Sequence, residues 1–150
     1  MSGAEDPYGE RDPISLTLEV LGSRAGFLVL REAFHGVRRF DDLQRSLGIT
    51  AASLSARLKA LVSDGLLEQV PYREPGARTR HEYRLSRKGE ALLPVLVAMR
   101  EWGNEHLLDG EAPVHFTHAR CGAAVGAEVR CRRGHRVALG ELRETGSIRP

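Results

Sequence analysis

Cysteine is scarce in this chain: Cys121 and Cys131 are the only two in 150 residues. With no export signal read at the start, this argues against a disulfide framework, and the expected compartment is a reducing one, the cytoplasm. The opening MSGAEDPYGERDP is acidic and polar, unlike a secretory leader. Residues 1–12 therefore read as a short disordered arm. No apolar run approaches the ~20 residues that span a bilayer, so no membrane partner is expected. Lysine is scarce too, two against twenty arginines. That bias fits a GC-rich genome, so the number of arginines alone carries no argument about phosphate binding. Catalytic arrangements are also missing. There is no Ser/His/Asp set, no glycine loop to cradle a phosphate and no carboxylate pair in an apolar setting, so the chain does not read as an enzyme.

What is present is ordinary for one soluble domain: 41% hydrophobic and 28% charged residues. The length leaves room for a small appendage. The net charge of +2 hides an asymmetry, because residues 38–88 carry eleven Lys/Arg against six Asp/Glu, while residues 1–12 carry four acids and one arginine. A basic middle fits a polyanion partner, and a solvated charged face is the plain alternative.

Periodicity predicts a short buried helix over Ile14–Leu21, broken at Gly22, and a central helix over Gly26–Phe34 that is apolar nearly all round. In RRFDDLQRSLG, Asp41 is placed to cap a two-turn helix, with Gln44 returning the bond and Gly48 as the stop. Thr50 then caps a helix whose Leu54, Leu58 and Leu61 share one face, ended by Gly65. Two short helices joined by Gly48-Ile49-Thr50 meet the requirements of a helix-turn-helix. LLEQVPY (66–72) and HEYRLS (81–86) alternate like strands, and REPGARTR between them gives a hairpin with a basic tip. Ser86 caps a long helix from about Arg87 to Leu107, which Pro94 is expected to kink rather than end.

The expected fold is mainly α with a small β-hairpin, a winged helix-turn-helix followed by a small C-terminal ribbon-like β segment. Its boundaries are 1–12 for the arm, 13–107 for the winged domain that binds DNA and dimerises, 108–117 for a linker and 118–150 for the ribbon. The major groove of double-stranded DNA admits one helix, and the second helix of the motif is the one presented to it. Opposite its leucines that helix displays Ala52, Ser53, Ala56, Lys59 and Ala60, with Ser55 and Arg57 on the flanks. The expected DNA contacts are Arg39, Thr50, Ser53, Ser55, Arg57 and Lys59, with Arg73, Arg78 and Arg80 from the wing. Ser and Ala are also unremarkable on any solvated helix, and charged hairpin tips are usually just solvated loops; the combination in this order is what points to a duplex.

The stretches LREAFHGVRRFDDLQ, LSARLKALVSDGLLE, YRLSRKGEALLPVL and REWGNEH, within Ile14–His106, resemble the HxlR-type transcription regulators, relatives of the MarR group. The resemblance implies a bacterial, cytoplasmic, homodimeric DNA-binding regulator, a repressor, acting on an inverted repeat. It places the dimer contact on the N-terminal segment and the long helix, here Leu16, Leu92, Leu96, Met99 and Trp102. Closure of the monomer's own core by Met99 and Trp102 is the alternative. The chain departs from the family in two places. No cysteine stands near Asp12-Pro13, which removes thiol sensing there, and Arg24-Ala25 replaces a Lys-Trp pair, leaving either repacked core or a gap for a small-molecule effector. Two other readings stay open: an effector-responsive sensor with its pocket near the dimer helix, and a winged-helix interaction adaptor that no longer binds DNA.

The remaining motif is HARCGAAVGAEVRCRRGH, residues 118–135. It resembles a zinc-ribbon-like piece of longer family members, with Gly134 where a fourth cysteine would stand. His118, Cys121, Cys131 and His135 are the candidate ligands for a structural Zn²⁺, with His115 in reserve, and Gly126 falls near the tip of a two-stranded turn between them. The alternative is a ribbon without metal, packed through Val125, Val129, Val137 and Leu139. Arg120, Arg130, Arg132, Arg133 and Arg136 would repel a cation while offsetting thiolate charge.

Overall fold

A computed structural model describes residues 12–143 and 145. Apart from Asp12, the arm expected at 1–12 lies outside the described residues. Two compact units divide the chain, Met1–Leu92 and Leu93–Pro150. The division falls inside the segment 13–107 that the sequence assigns to one domain.

The first unit runs α1 (Pro13–Leu21), α2 (Arg24–Phe34), α3 (Phe40–Leu47), α4 (Ala51–Ser63), β1 (Leu67–Tyr72), β2 (Arg80–Leu85) and α5 (Arg87–Glu90). Local chemistry sets most of these starts. Asp12 accepts from the Ile14 and Ser15 amides ahead of Pro13, and Ser23 accepts from the Gly26 amide. The capping expected of Asp41 and Gln44 does not form. α3 opens two residues earlier, with Arg39 at the cap position and no side-chain bond there. Asp41 and Asp42 instead occupy its first turn, where carboxylates favour the helix dipole.

Leu21, Val29, Leu30, Leu43, Leu54, Leu58, Leu61, Leu66 and Leu67 form the core, with Phe27, Phe40, Ile49 and Leu92 packed against it. α2 fits the expected central helix. α1 does not fit a buried one: Ile14 is 70% and Leu18 62% exposed, and only Leu21 is buried. The hairpin pairs Leu67 with Leu85 through Tyr72 with Arg80, antiparallel. A single bridge from Arg39 to Glu82 adds a third, minimal strand that the sequence does not announce.

The root of the hairpin is held closely. The Ser86 amide donates to the Leu66 carbonyl at 3.0 Å, and the Ser86 hydroxyl donates to the Gly65 carbonyl while accepting from the Gly89 amide. A Cβ at Gly89 would lie 2.2 Å from the Leu66 oxygen, so only glycine fits this approach.

The second unit opens with α6 (Leu93–Leu107). The single long helix expected from Arg87 to Leu107 is therefore interrupted at Ala91-Leu92. Pro94 stands in the first turn of α6, where a missing N–H leaves no bond unmade. The following segment folds back onto α6. The Arg100 guanidinium donates to the Val114 carbonyl at 2.9 Å and lies over the Phe116 ring, while Asn104 and Glu101 accept from the Ala112 and Ala127 amides at 2.7 Å each. These bonds explain why α6 divides with the ribbon rather than with the winged core.

The ribbon is not the single hairpin expected. It makes two separate tight turns, each closed by one bridge, Thr117 with Ala124 and Arg130 with Arg136. The stretch between them lies against α6 through Glu101, so Gly126 is no hairpin tip.

Candidate nucleic-acid interface

The turn between α3 and α4 is built as a helix-turn-helix needs. Gly48 takes the left-handed conformation, φ 62°, and its amide closes on Gln44. Ile49 packs against the core, and the Thr50 hydroxyl accepts from the Ser53 amide at 3.1 Å. Leu54, Leu58 and Leu61 are at most 2% exposed, which fixes the rotation of α4. Ala51, Ala52, Ser55, Ala56, Lys59 and Ala60 consequently face outward, exposed.

Two of the expected contacts are less available. Ser53 and Arg57 are half-buried, and the Arg57 Nε is buried without a hydrogen-bond partner. They edge the outer face of α4, whereas Ser55 and Lys59 stand on it. Thr50 is exposed at the end of the helix nearest the turn.

Arg73, Arg78 and Arg80 are all exposed on the wing, but they are not equivalent. The Arg73 Nε donates to the Ala77 carbonyl at 3.0 Å and braces the hairpin tip. Arg80 stands 3.8 Å from Asp41. Arg39 pairs with Glu74 at 2.8 Å and lies over the Tyr72 ring at 4.7 Å. Arg78 has no such partner among the described residues. Asp41 and Glu74 are the functional residues that sequence reasoning misses: they lie 33 positions apart, and nothing in their spacing marks them as joint holders of two arginines. These groups line an open, polar cleft of about 650 Å³ between α3 and the wing.

Behind the motif, Glu32 of α2 is 7% exposed. Its carboxylate accepts from the Ser46 hydroxyl of α3 and from Arg31. Burial pushes this carboxyl up, but the Ser46 hydroxyl, the Arg31 guanidinium and the nearby His35 outweigh it and hold it below the usual carboxylate range. The link sets α3 on α2, and with it the angle at which α4 is presented.

The expected dimer residues separate. Leu96 is buried within the chain and Leu92 belongs to the packing of the core, so neither is free surface. Met99 and Trp102 are 53% and 59% exposed, and Leu16 is 45% exposed. Val95, Met99, Trp102 and His106 follow helical spacing down one side of α6, with the Trp102 and His106 rings 5.3 Å apart.

The four candidate metal ligands also separate. His118 Nδ1 lies 3.2 Å from Cys121 Sγ on the first turn of the ribbon. Cys131 and His135 close the second turn through the Cys131 amide, which donates to the His135 carbonyl. Among the described residues no three His, Cys, Asp or Glu side chains are grouped as a metal site, so His115 joins neither pair. Of the residues named for apolar packing, Val125, Val129 and Leu139 are 42%, 62% and 88% exposed, and Val137 alone is half-buried.

A winged helix-turn-helix with a free second helix and an arginine-bearing wing defines a class of DNA-associated transcription regulators. The profile of the HxlR-like helix-turn-helix family matches residues 20–111. The chain belongs to that family. It is 42% identical over 123 residues to the HTH-type transcriptional regulator Rv3095 of Mycobacterium tuberculosis, covering 81% of this chain and 77% of the relative. Among solved structures it is similar to PA1607, assigned as a transcription factor, with a TM-score of 0.82 and 34% identity over 93% of this chain and 98% of that one. A MarR family regulator from Porphyromonas gingivalis matches with a TM-score of 0.57 and 26% identity, covering 71% of this chain and all of that one. The relatives are named as regulators, not as enzymes. Among the described residues, no single helix is long and apolar enough to cross a membrane.

Proposed function

We propose that this HTH-type regulator is a cytoplasmic, homodimeric repressor that reads an inverted repeat in double-stranded DNA. The observation that carries the reading is the outer face of α4. Its small side chains, Ala52, Ala56 and Ala60, let the helix approach the floor of the major groove, and Ser55 and Lys59 stand among them with no competing partner among the described residues. Arg57 at the edge of that face supplies a base or phosphate contact, and Thr50 a contact at the helix start. Arg78, with no partner among the described residues, gives the wing a guanidinium for the neighbouring backbone. Arg39, Arg73 and Arg80 are phosphate contacts that first release a partner of their own.

The dimer is supported by the apolar stripe of α6 and by Ile14, Leu16 and Leu18 of α1, which are exposed in one chain. Surface of that kind favours a second copy, and a two-fold dimer reads two half-sites of opposite sense. Repression needs only occupancy of the operator, which a chain of this size can supply.

Selection of bound DNA from a random pool tests the whole reading. It should return an inverted repeat with half-sites about 10 bp apart, or a multiple of that. Arg78→Ala should weaken binding to every sequence alike and lower the salt slope by about 0.9, while Ser55→Ala or Arg57→Ala should change base preference. A pool with no enriched motif, or affinity independent of salt, rejects the assignment.

A further inference from the structure

The family profile ends at residue 111, and the ribbon begins only after it. Among its described residues there are no grouped metal ligands and no buried apolar residue, and its charge is what stands out. Residues 118–143 contain six arginines against two glutamates, and residues 129–140 contain no acid. The two acids are already committed. Glu128 pairs with Arg130 and with Arg136, each at 2.5 Å. Hydrogen bonding from Arg130 holds the Glu128 carboxyl below the usual range, and the charges of both arginines add to this. Arg130 also donates to the Gly134 carbonyl at 2.8 Å. Glu141 accepts from the Ala138 amide.

Two arginines of the second turn are thus internal staples that shape it, and the others are left outside. Arg132 and Arg133 form the tip of that turn, fixed from below by the Gly134 amide donating to Cys131 and by the Cys131 amide donating to His135. Arg120 sits on the first turn. All three are exposed, and none has an ion-pair or hydrogen-bond partner among the described residues.

We propose that Arg120, Arg132 and Arg133 form a second phosphate-binding surface, through which the ribbon grips the DNA backbone independently of base sequence. A planar guanidinium on a short, stapled turn suits a phosphate oxygen pair, since little side-chain and backbone freedom remains to be lost on contact. The surface lacks what base reading requires, since among the described residues no helix or strand carries the arginines. Its contribution is therefore affinity and salt dependence rather than specificity. The inference rests on the DNA-binding reading above but concerns residues outside the winged helix.

The test uses the full chain and measures affinity across a salt series for both the selected operator and a random duplex. Arg132→Ala/Arg133→Ala should weaken binding to both by the same factor and reduce the salt slope by about 1.8, two contacts at about 0.9 each. Adding Arg120→Ala should remove about 0.9 more. Arg132→Lys/Arg133→Lys should keep most of the slope, because counterion release follows charge. An unchanged slope in the alanine variants overturns the proposal, and so does a lysine variant that loses as much as the alanine one. Binding to anionic vesicles that disappears in the alanine variant while the DNA slope stays put reassigns the surface to lipid. If the wild type binds DNA and Arg78→Ala weakens it while the ribbon variants do not, the ribbon inference alone fails. If the wild type shows no salt-dependent DNA binding, the functional reading fails first.

Discussion

Leu54, Leu58 and Leu61 of α4 are 0%, 1% and 2% exposed, whereas Val125, Val129 and Leu139 of the ribbon are 42%, 62% and 88% exposed. Both segments carry apolar residues at suggestive spacing, but only one buries them. The winged helix is held by removal of leucine from water, a force that accumulates with area. The ribbon is held by directed bonds: Glu128 between two arginines, and Glu101 reaching it from α6, while Arg100 and Asn104 hold the linker that leads to it. Exposed ion pairs of this kind contribute little each. They fix a local shape without making it a cooperative core.

The largest expected break in that contrast comes from truncation. Leu58→Ala should cost ~2–5 kcal/mol in equilibrium unfolding, whereas Val129→Ala should stay within ~0.5 kcal/mol. A ribbon valine that proved costly would show that the second unit has a core after all.

A smaller effect is expected at Glu32, the polar link within the apolar unit. Because its folded carboxyl lies below the usual range, the stability it provides is present above the ordinary glutamate range and is lost as pH falls through the depressed value. Glu32→Gln should cost ~1–3 kcal/mol at neutral pH. The two proteins should converge at acid pH in denaturation midpoints measured across a pH series. A gap that stays constant with pH would mean that shape rather than charge is what Ser46 and Arg31 recognise.

The smallest effect belongs to the thiols. Cys121→Ser/Cys131→Ser should leave the unfolding midpoint unchanged, and elemental analysis of the purified protein should find well below one equivalent of zinc. A full equivalent, lost in the double variant together with the order of the ribbon, would replace the ionic account with a metallic one.

The same contrast explains what could be read in advance. Repeated leucines on α4, the Gly48-Ile49-Thr50 turn and the alternation in β1 and β2 are local patterns tied to burial, and they located the helix-turn-helix and its wing to within a residue or two. The dimer-helix residues were harder, because period alone cannot say which side of α6 is covered, and Leu96 proved internal while Met99 and Trp102 are not. The clamps of Arg39 by Glu74 and of Arg80 by Asp41 join distant residues through the hairpin register, which no spacing rule encodes. In the ribbon, Cys and His at near-metal spacing are the pattern a reader sees first. The bonds that shape the turns run from Glu128, which stands outside the metal pattern.

The absent side chain at Gly89 has a mechanical consequence. With the Leu66 oxygen filling the place of a methyl group and Ser86 bonded on both sides, the hairpin is anchored like a reed clamped at one end. The other end, beyond the last paired residues Tyr72 and Arg80, is tied by side chains instead, Arg73 to the Ala77 carbonyl and Glu74 to Arg39. Releasing Glu74 from Arg39 would loosen that end while leaving the clamped root as it is.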